Sequence, residues 1–203
     1  MKNFIFMVQA FLLISFFSQA YAEEIKIGEK IPEITIEKKG IMTFDYEIKN
    51  NQMACPGEME ITYRPWSTSE LEGKVSTIYH LAARMGIEDI NQPYIDALIK
   101  ADLPDKLPES DYKTTTILNL DDAVWGTSGL ASSKFTKSQE EFPYAYYVAD
   151  LKGTAAEAWN LEKKNTAVIV IDKSNKVLFF KEGKLNDKDI ASAVSKIKEA
   201  LKE

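Results

Sequence analysis

Residues 73–94, GKVSTIYHLAARMGIEDINQPY, contain the transition from a buried strand to a helix around which the rest of the chain is organised. The run VSTIYHL (75–81) is rich in β-branched and aromatic residues, which is typical of a strand. Apolar residues then recur at helical spacing along one side, at Ile87, Ile90, Tyr94, Ile95, Leu98 and Ile99. The stretch predicts a strand–helix unit with the only histidine of the chain, His80, near the end of the strand.

Strands and helices continue to alternate toward the C-terminus. Runs typical of strands occupy 112–120, 145–150, 166–172 and 176–182, and helical patterns occupy 133–141, 154–161 and 187–202. The last two strands are separated only by KSN, which predicts a hairpin, and Asn186 is a good N-cap for the final helix. This order predicts an α/β fold whose central mixed sheet is flanked by helices. In it, strand 75–81 lies between 114–120 and 166–172.

The first 22 residues have the composition of a secretory signal peptide. Lys2 supplies a short positive region, residues 4–17 are almost entirely apolar, and Ala20 and Ala22 are small residues at the positions that a signal peptidase recognises. The apolar run is shorter than the roughly 20 residues that a membrane span requires, and a retained membrane anchor is the alternative interpretation. We predict cleavage after Ala22, export to the periplasm, and no membrane attachment afterwards.

An N-terminal β extension precedes the core of the predicted domain. Short strands are expected within 25–36, 43–48 and 58–63, around an irregular excursion that contains several prolines and polar residues. We therefore divide the chain after the signal peptide into an extension, residues 23–65, and a core, residues 66–203.

Charge and cysteine content exclude several classes of function. The chain has 25 basic and 31 acidic residues and lacks the basic stripe with which nucleic-acid-binding proteins displace counterions from phosphates. Cys55 is the only cysteine, so an internal disulfide is impossible. One histidine and one cysteine are too few for a zinc-type site, and the loop WGTSGLASS lacks the lysine of a phosphate-binding loop. We expect no nucleic acid, cofactor or metal; the alternative is calcium or magnesium at Asp121 and Asp122.

The order of elements resembles the thioredoxin fold, and the entry segment GEKIPEITI (28–36) resembles that of periplasmic thiol-disulfide proteins. Counted from Gly73, the two redox cysteines of that fold fall at Met85 and Glu88, and Pro93 stands where its helix-kinking proline is expected. Thr166 occupies the position of its cis-proline. Because neither Met85 nor Glu88 supplies a thiolate, the resemblance implies a thioredoxin frame without disulfide exchange at this site.

A more specific resemblance covers the chain from Trp66 to about Leu185. It rests on His80, Ala82, Arg84 and Asn91, the block TTTILNLDDA, the loop GTSG, and the runs AWNL, AVIVIDKSNKV and KEGKL. These motifs resemble the YtfJ family of exported bacterial proteins of thioredoxin-like fold. Ala83, where glycine is expected, and the stretch 49–63 depart from the family pattern. The resemblance implies a fold and an exported location, and it carries no activity with it.

The candidate site residues gather at the carboxyl ends of the predicted parallel strands, where α/β proteins bind ligands. His80 beside Asp121 or Asp122 would form an acid–base pair; the alternative is a hydrogen-bonded histidine of the core. Arg84, expected just before a helix N-terminus, is suited to an anion, with Glu88 and Thr166 as further ligand-binding candidates. The alternative for Arg84 is an ion pair with one of the two aspartates.

Three functional hypotheses follow from these residues. The favoured one is a non-catalytic periplasmic module that binds a protein, a peptide or a small anion at the edge where thioredoxins hold their cysteines. The second is an enzyme that uses His80 with Asp121 or Asp122 and binds an anion at Arg84. The third is a single-cysteine thiol protein acting through Cys55, whose alternative is an incidental thiol.

Overall fold

A seven-stranded mixed sheet forms the centre of the molecule. The structure is a computed structural model that describes residues 23–49, 52–54, 60–103, 110–124 and 128–202. The signal peptide predicted for residues 1–22 and the thiol of Cys55 lie outside the described residues.

The strands of the sheet lie in the spatial order β4-β1-β7-β6-β5-β8-β9. Their bounds are β1 Thr35–Thr43, β4 Thr62–Ser67, β5 Val75–Ala82, β6 Tyr112–Asn119, β7 Tyr146–Asp150, β8 Thr166–Ile171 and β9 Val177–Glu182. Strands β5, β6 and β7 run parallel to one another, and the other pairs are antiparallel. Two further strands, β2 (Glu47–Lys49) and β3 (Gln52–Ala54), pair with each other outside this sheet.

Four α-helices are described, α1 Gln92–Lys100, α2 Ser128–Glu141, α3 Thr154–Ala158 and α4 Asp187–Ala200. The predicted N-cap of α4 is confirmed, because the Asn186 side chain accepts hydrogen bonds from the backbone of Lys188 and Asp189. The Asp189 carboxylate accepts one in return from the backbone of Asn186, which completes a capping box. Among the described residues, no helix has both the length and the apolar composition needed to cross a membrane.

Each face of the sheet has its own hydrophobic cluster. The first lies under α1, α2 and α4 and includes Tyr79, Leu81, Tyr94, Leu98, Phe135, Tyr147 and Ile197. The second lies under α3 and the segment before β1 and includes Ile34, Ile36, Trp66, Ile78, Ile117, Val148 and Trp159. Because side chains alternate along a strand, Tyr79 and Leu81 face the first cluster while Ile78 and His80 face the second.

The predicted fold class is confirmed, including the position of β5 between β6 and β8. The strand bounds of the N-terminal extension differ from the prediction, since β1 begins only at Thr35 and the strand expected at 58–63 lies at Thr62–Ser67. Residues 25–34 instead follow the second cluster, into which Ile25, Ile31 and Ile34 are buried. Strand β1 belongs to the central sheet, and the predicted division between 65 and 66 falls within β4.

The helix after β5 begins later than predicted, and Arg84 does not lie just before it. A bend at Ala83 and Arg84 and turns over residues 85–91 separate β5 from α1, which starts at Gln92; within them Gly86 adopts a left-handed conformation with φ of 82°. Pro93 stands in the first turn of α1, where a proline is tolerated, and does not kink the helix. The expectation that a helix N-terminus assists anion binding at Arg84 is therefore wrong.

Candidate functional site

Three parallel strands end together at one edge of the sheet. Ala82 of β5 is in register with Asn119 of β6, which is in register with Asp150 of β7. The backbone continues this alignment one step further, because Ala83 N donates to Asn119 O at 3.0 Å and Leu120 N donates to Asp150 O at 2.8 Å. This edge is where ligands bind in α/β folds, and the residues that follow the three strands are the candidates for contact with a ligand.

His80 is fully enclosed beneath this edge. Its side chain is 1% exposed, and its Nε2 atom has no hydrogen-bond partner in the part of the chain that the structure describes. Burial lowers the pKa of His80 from 6.5 to about 4, although the carboxylates of Asp150 and Asp122 act in the opposite direction. His80 is therefore a buried residue of the core, as one of its two interpretations predicts. That interpretation also predicts a hydrogen-bonded ring, and Nε2 forms no hydrogen bond with a described residue. A substrate in solvent does not reach it.

Two buried polar residues that were not predicted as site residues, Asn119 and Asp150, share the sheet face of His80. The Asp150 carboxylate accepts hydrogen bonds from the backbone N–H groups of Lys152 and Ala155, at 3.2 and 2.9 Å, and so anchors the start of α3. Asn119 accepts a hydrogen bond from Asp121 N at 3.0 Å through its Oδ1 atom. The sequence does contain a signal for both residues, because each is a polar residue at the end of an apolar strand. Asp150 ends the run AYYVAD, and Asn119 is the second-last residue of TTTILNL.

The two predicted aspartates have different surroundings. Asp122 Oδ2 accepts hydrogen bonds from Asn119 Nδ2 at 3.2 Å and from Lys164 N at 2.9 Å, so it ties the end of β6 to the loop before β8. The Asp121 side chain is exposed and is not among the groups that influence the pKa of His80. The described residues contain no group of three or more histidine, cysteine, aspartate or glutamate side chains suited to a metal ion.

Arg84 is half-buried, and no described residue serves as its acidic partner. Within the part of the chain that the structure describes, its guanidinium forms no ion pair, and its buried Nε atom has no hydrogen-bond partner. The alternative of an ion pair with Asp121 or Asp122 is therefore not realised. Backbone bonds fix the position of the residue, because Arg84 N donates to Ala82 O at 2.7 Å and Ile87 N donates to Arg84 O at 3.2 Å.

The other two ligand-binding candidates are engaged within the protein. Glu88 pairs with Lys134 of α2 at 3.1 Å; burial acts to raise its pKa, but hydrogen bonds from the backbone and from Lys134 lower it overall. Thr166 is buried, and its hydroxyl donates to the carbonyl oxygen of His80 at 3.0 Å. Met85, at the first redox position of the thioredoxin frame, is 91% exposed. Among the described residues, both His80 Nε2 and Arg84 Nε lack a hydrogen-bond partner, but only Arg84 is partly exposed to solvent.

Comparison with known proteins places the chain in a family. Residues 25–200 match the family model described as "Bacterial protein of unknown function (YtfJ_HI0045)". The chain belongs to the YtfJ family. It is 34% identical over 180 residues to an uncharacterized protein of Haemophilus influenzae, and the alignment covers 89% of each chain. It is 29% identical over 183 residues to the uncharacterized protein YtfJ of Escherichia coli, covering 90% of this chain and 91% of that one.

Solved structures show which fold this chain has. A thiol peroxidase from Chromobacterium violaceum superposes with a TM-score of 0.52 at 10% identity, over 90% of this chain and 91% of that chain. The thioredoxin domain of a thiol-disulfide oxidoreductase from Bacteroides vulgatus superposes with a TM-score of 0.51 at 14% identity, over 85% and 98%. These likenesses confirm the thioredoxin-like fold. The YtfJ-family chain has a single cysteine and therefore no Cys-x-x-Cys pair.

Proposed function

We propose that the protein is an exported, periplasmic binding module of thioredoxin-like fold that holds an anionic group at Arg84 and performs no disulfide chemistry. The observation that carries this proposal is the half-buried guanidinium of Arg84, which forms no ion pair with any of the described residues. A partly desolvated charge without a partner is unfavourable, so its retention at the ligand-binding edge is readily explained by an anionic ligand. A guanidinium also offers a planar pair of donors that matches a carboxylate or a phosphate.

The surroundings of His80 support binding in preference to acid–base catalysis. A catalytic base has to come within hydrogen-bonding distance of its substrate, whereas the His80 side chain is 1% exposed. Its backbone is part of the sheet, in which His80 pairs with Ile117 of β6 and Ala167 of β8, and its carbonyl oxygen also accepts the hydroxyl of Thr166. We assign His80 to the support of the strand that ends at Arg84.

Substitution of Arg84 by glutamine is expected to weaken the binding of inorganic phosphate and acetate about tenfold or more, since charged hydrogen bonds contribute about 1.5–3 kcal/mol. Titrations of the mature protein are followed by ¹H–¹⁵N NMR, and the largest shifts are expected at residues 82–85. Lys134→Gln is the matched control, because this exposed cation is paired with Glu88 nearby. Equal affinities of the wild-type protein and Arg84→Gln would contradict the proposal.

Export is tested separately from binding. When the full chain is expressed in a Gram-negative host, the periplasmic fraction is expected to contain a protein that begins at Glu23, because the small residues Ala20 and Ala22 define the cleavage position. Intact-mass measurement of the fractionated protein identifies the new N-terminus. The matched variant Ala22→Arg is expected to accumulate as precursor. A cytoplasmic protein that keeps its first 22 residues would contradict the proposed location.

A further inference from the structure

The loop that leads into β8 lies next to Arg84. Strand β8 runs antiparallel to β5, and Ala82 N donates to Asn165 O at 3.1 Å, one step beyond the last pair of the two strands. Lys164, the adjoining residue of the loop, therefore lies beside Ala83, because residues that face each other in antiparallel strands are about 5 Å apart. Arg84 and Lys164 thus belong to adjacent chain segments at the end of β5.

A second set of contacts holds Lys164 against the end of β6. Lys164 N donates to Asp122 Oδ2 at 2.9 Å, and Asn119 Nδ2 donates to the same oxygen at 3.2 Å. Asn119 O also accepts the hydrogen bond from Ala83 N at 3.0 Å. Because β6 and β8 flank β5 on opposite sides, a loop that leads into β8 and bonds to the end of β6 passes over the end of β5. The backbones of Arg84 and Lys164 therefore lie within roughly 10 Å of each other, a gap that two long side chains can span.

No described carboxylate neutralises either of these two cations. Lys164 is exposed and Arg84 is half-buried, and within the described ranges no acidic side chain pairs with either of them. Asp122 bonds the backbone N–H of Lys164 and not its ammonium. Glu162 accepts a side-chain hydrogen bond within its own loop at 2.8 Å, and Asp121 is exposed. Asp122 and Glu162 thus fix the loop, and the guanidinium and the ammonium remain available to a ligand.

The charge of these two side chains selects a class of anion. Two like charges held near each other repel, and an anion that bears a single negative charge compensates only one of them. A carboxylate matches one guanidinium through its two oxygens. A phosphate monoester carries about two negative charges near pH 7 and has three acceptor oxygens. It can therefore contact a guanidinium and an ammonium at the same time.

We propose that Arg84 and Lys164 together bind a dianionic phosphate group, either inorganic phosphate or the phosphate of a monoester. The guanidinium of Arg84 donates to two oxygens of the group, and the ammonium of Lys164 donates to the third. Asp122 is a positioning residue, because it holds the backbone of Lys164 over the end of β5. This inference rests on the proposed anion-binding function of Arg84 and narrows the ligand from anions in general to a dianion.

Methyl phosphate and dimethyl phosphate are the matched probes, because both contain a tetrahedral phosphate group. At about pH 8 the first is a dianion, since its second pKa lies near 6, whereas the second is a monoanion. Methyl phosphate is expected to bind the mature protein about fivefold more tightly than dimethyl phosphate, because it also pairs with the exposed ammonium of Lys164. ¹H–¹⁵N NMR titrations give both affinities, and shifts at residues 82–85 and 163–165 locate the site. Inorganic phosphate, titrated in parallel, shows whether the free ion or the monoester is the tighter ligand.

Substitutions separate the contributions of the two cations. Lys164→Gln is expected to abolish the preference for methyl phosphate over dimethyl phosphate while leaving the binding of acetate nearly unchanged. Lys164→Arg keeps the charge and is expected to keep the preference. Arg84→Gln is expected to weaken the binding of both phosphate probes. Lys198→Gln is the matched control, because it removes the same charge in the last turn of α4, roughly 16 Å along the helix from its start.

The outcomes distinguish this inference from the function on which it rests. If acetate and both phosphate probes bind through Arg84 but methyl phosphate binds no more tightly than dimethyl phosphate, the dianion inference fails and anion binding stands. If the preference for methyl phosphate survives in Lys164→Gln, Lys164 is not the second cation and the inference is overturned. If no probe binds and Arg84→Gln changes nothing, both proposals fail.

Discussion

Lowering the pH from 6.5 to 4 is expected to reduce the free energy of unfolding by about 3 kcal/mol through His80 alone. The unfolded chain takes up a proton on this side chain near pH 6.5, whereas burial lowers the pKa of the folded state to about 4. Between these values the proton binds preferentially to the unfolded chain. The contribution of His80 to the free energy of unfolding is therefore fully present above pH 6.5 and is lost progressively as the pH falls to 4.

The single histidine makes this expectation directly measurable. In ¹H NMR, the ring protons of His80 in the folded, tag-free protein are expected to titrate with a midpoint near pH 4. Urea unfolding at several pH values gives the stability of the wild-type protein and of His80→Gln, and their difference is expected to shrink or change sign as the pH falls. A histidine that titrates at pH 6.5 in the folded protein would contradict the burial of its ring.

The titration of acidic groups does not obscure the comparison of stability between the wild-type protein and His80→Gln. The pKa of Asp172 is lowered overall. Burial alone would raise it, but hydrogen bonds from the side chain and backbone of Ser174 and from the backbone of Lys176 outweigh that effect. The pKa of Asp189 is lowered by hydrogen bonds from the backbone of Asn186 and from the side chain of Lys181. Both carboxylates contribute stability that is lost only as the pH falls below their ordinary value of 3.8. They are present in the wild-type protein and in His80→Gln, so they cancel in the difference.

Gly40→Ala is expected to cost about 3 kcal/mol or more, from about 1–2 kcal/mol of left-handed backbone strain and about 1–3 kcal/mol of overpacking. Gly40 has a φ of 75° in the irregular part of β1. A Cβ atom there would collide with the carbonyl oxygen of Arg64 and would lie 3.0 Å from Ile36 O and Trp66 N. All three are backbone atoms on paired strands, which have little freedom to move.

Gly73→Ala is the matched control for this substitution. Gly73 also has a positive φ, 83°, but nothing lies within 4 Å of a Cβ atom built there. Its replacement is therefore expected to cost only the backbone strain, about 1–2 kcal/mol. Urea unfolding of both variants gives the two values. Equal losses would show that the close approach of β1 to β4 is not as tight as the structure indicates.

The consequence of Gly40 for the candidate site is indirect. Gly40 pairs with Ala149 of β7, and the neighbouring Lys39 pairs with Asp150, the last residue of that strand. A disturbance of β1 is therefore expected to reach the strand end that carries Leu151.

Local patterns in the sequence were sufficient to predict the frame of the molecule. The β-branched run of β5, the hairpin across KSN and the Asn186 cap are properties of neighbouring residues, and each appears where it was expected. The family resemblance is confirmed over residues 25–200. The presence of only one cysteine likewise follows from the sequence alone and excludes a Cys-x-x-Cys pair.

Only the tertiary structure determines which polar side chains are buried and which of them are paired. His80 lies near Asp150, 70 positions away in the chain, because β5, β6 and β7 are neighbours that end in register. The late start of α1 and the absence of an ion pair between Arg84 and any described residue depend on turns and distances that no sequence period encodes. A strand or helix is specified mainly by interactions between near neighbours in sequence, whereas burial and ion pairing depend on which distant segments meet.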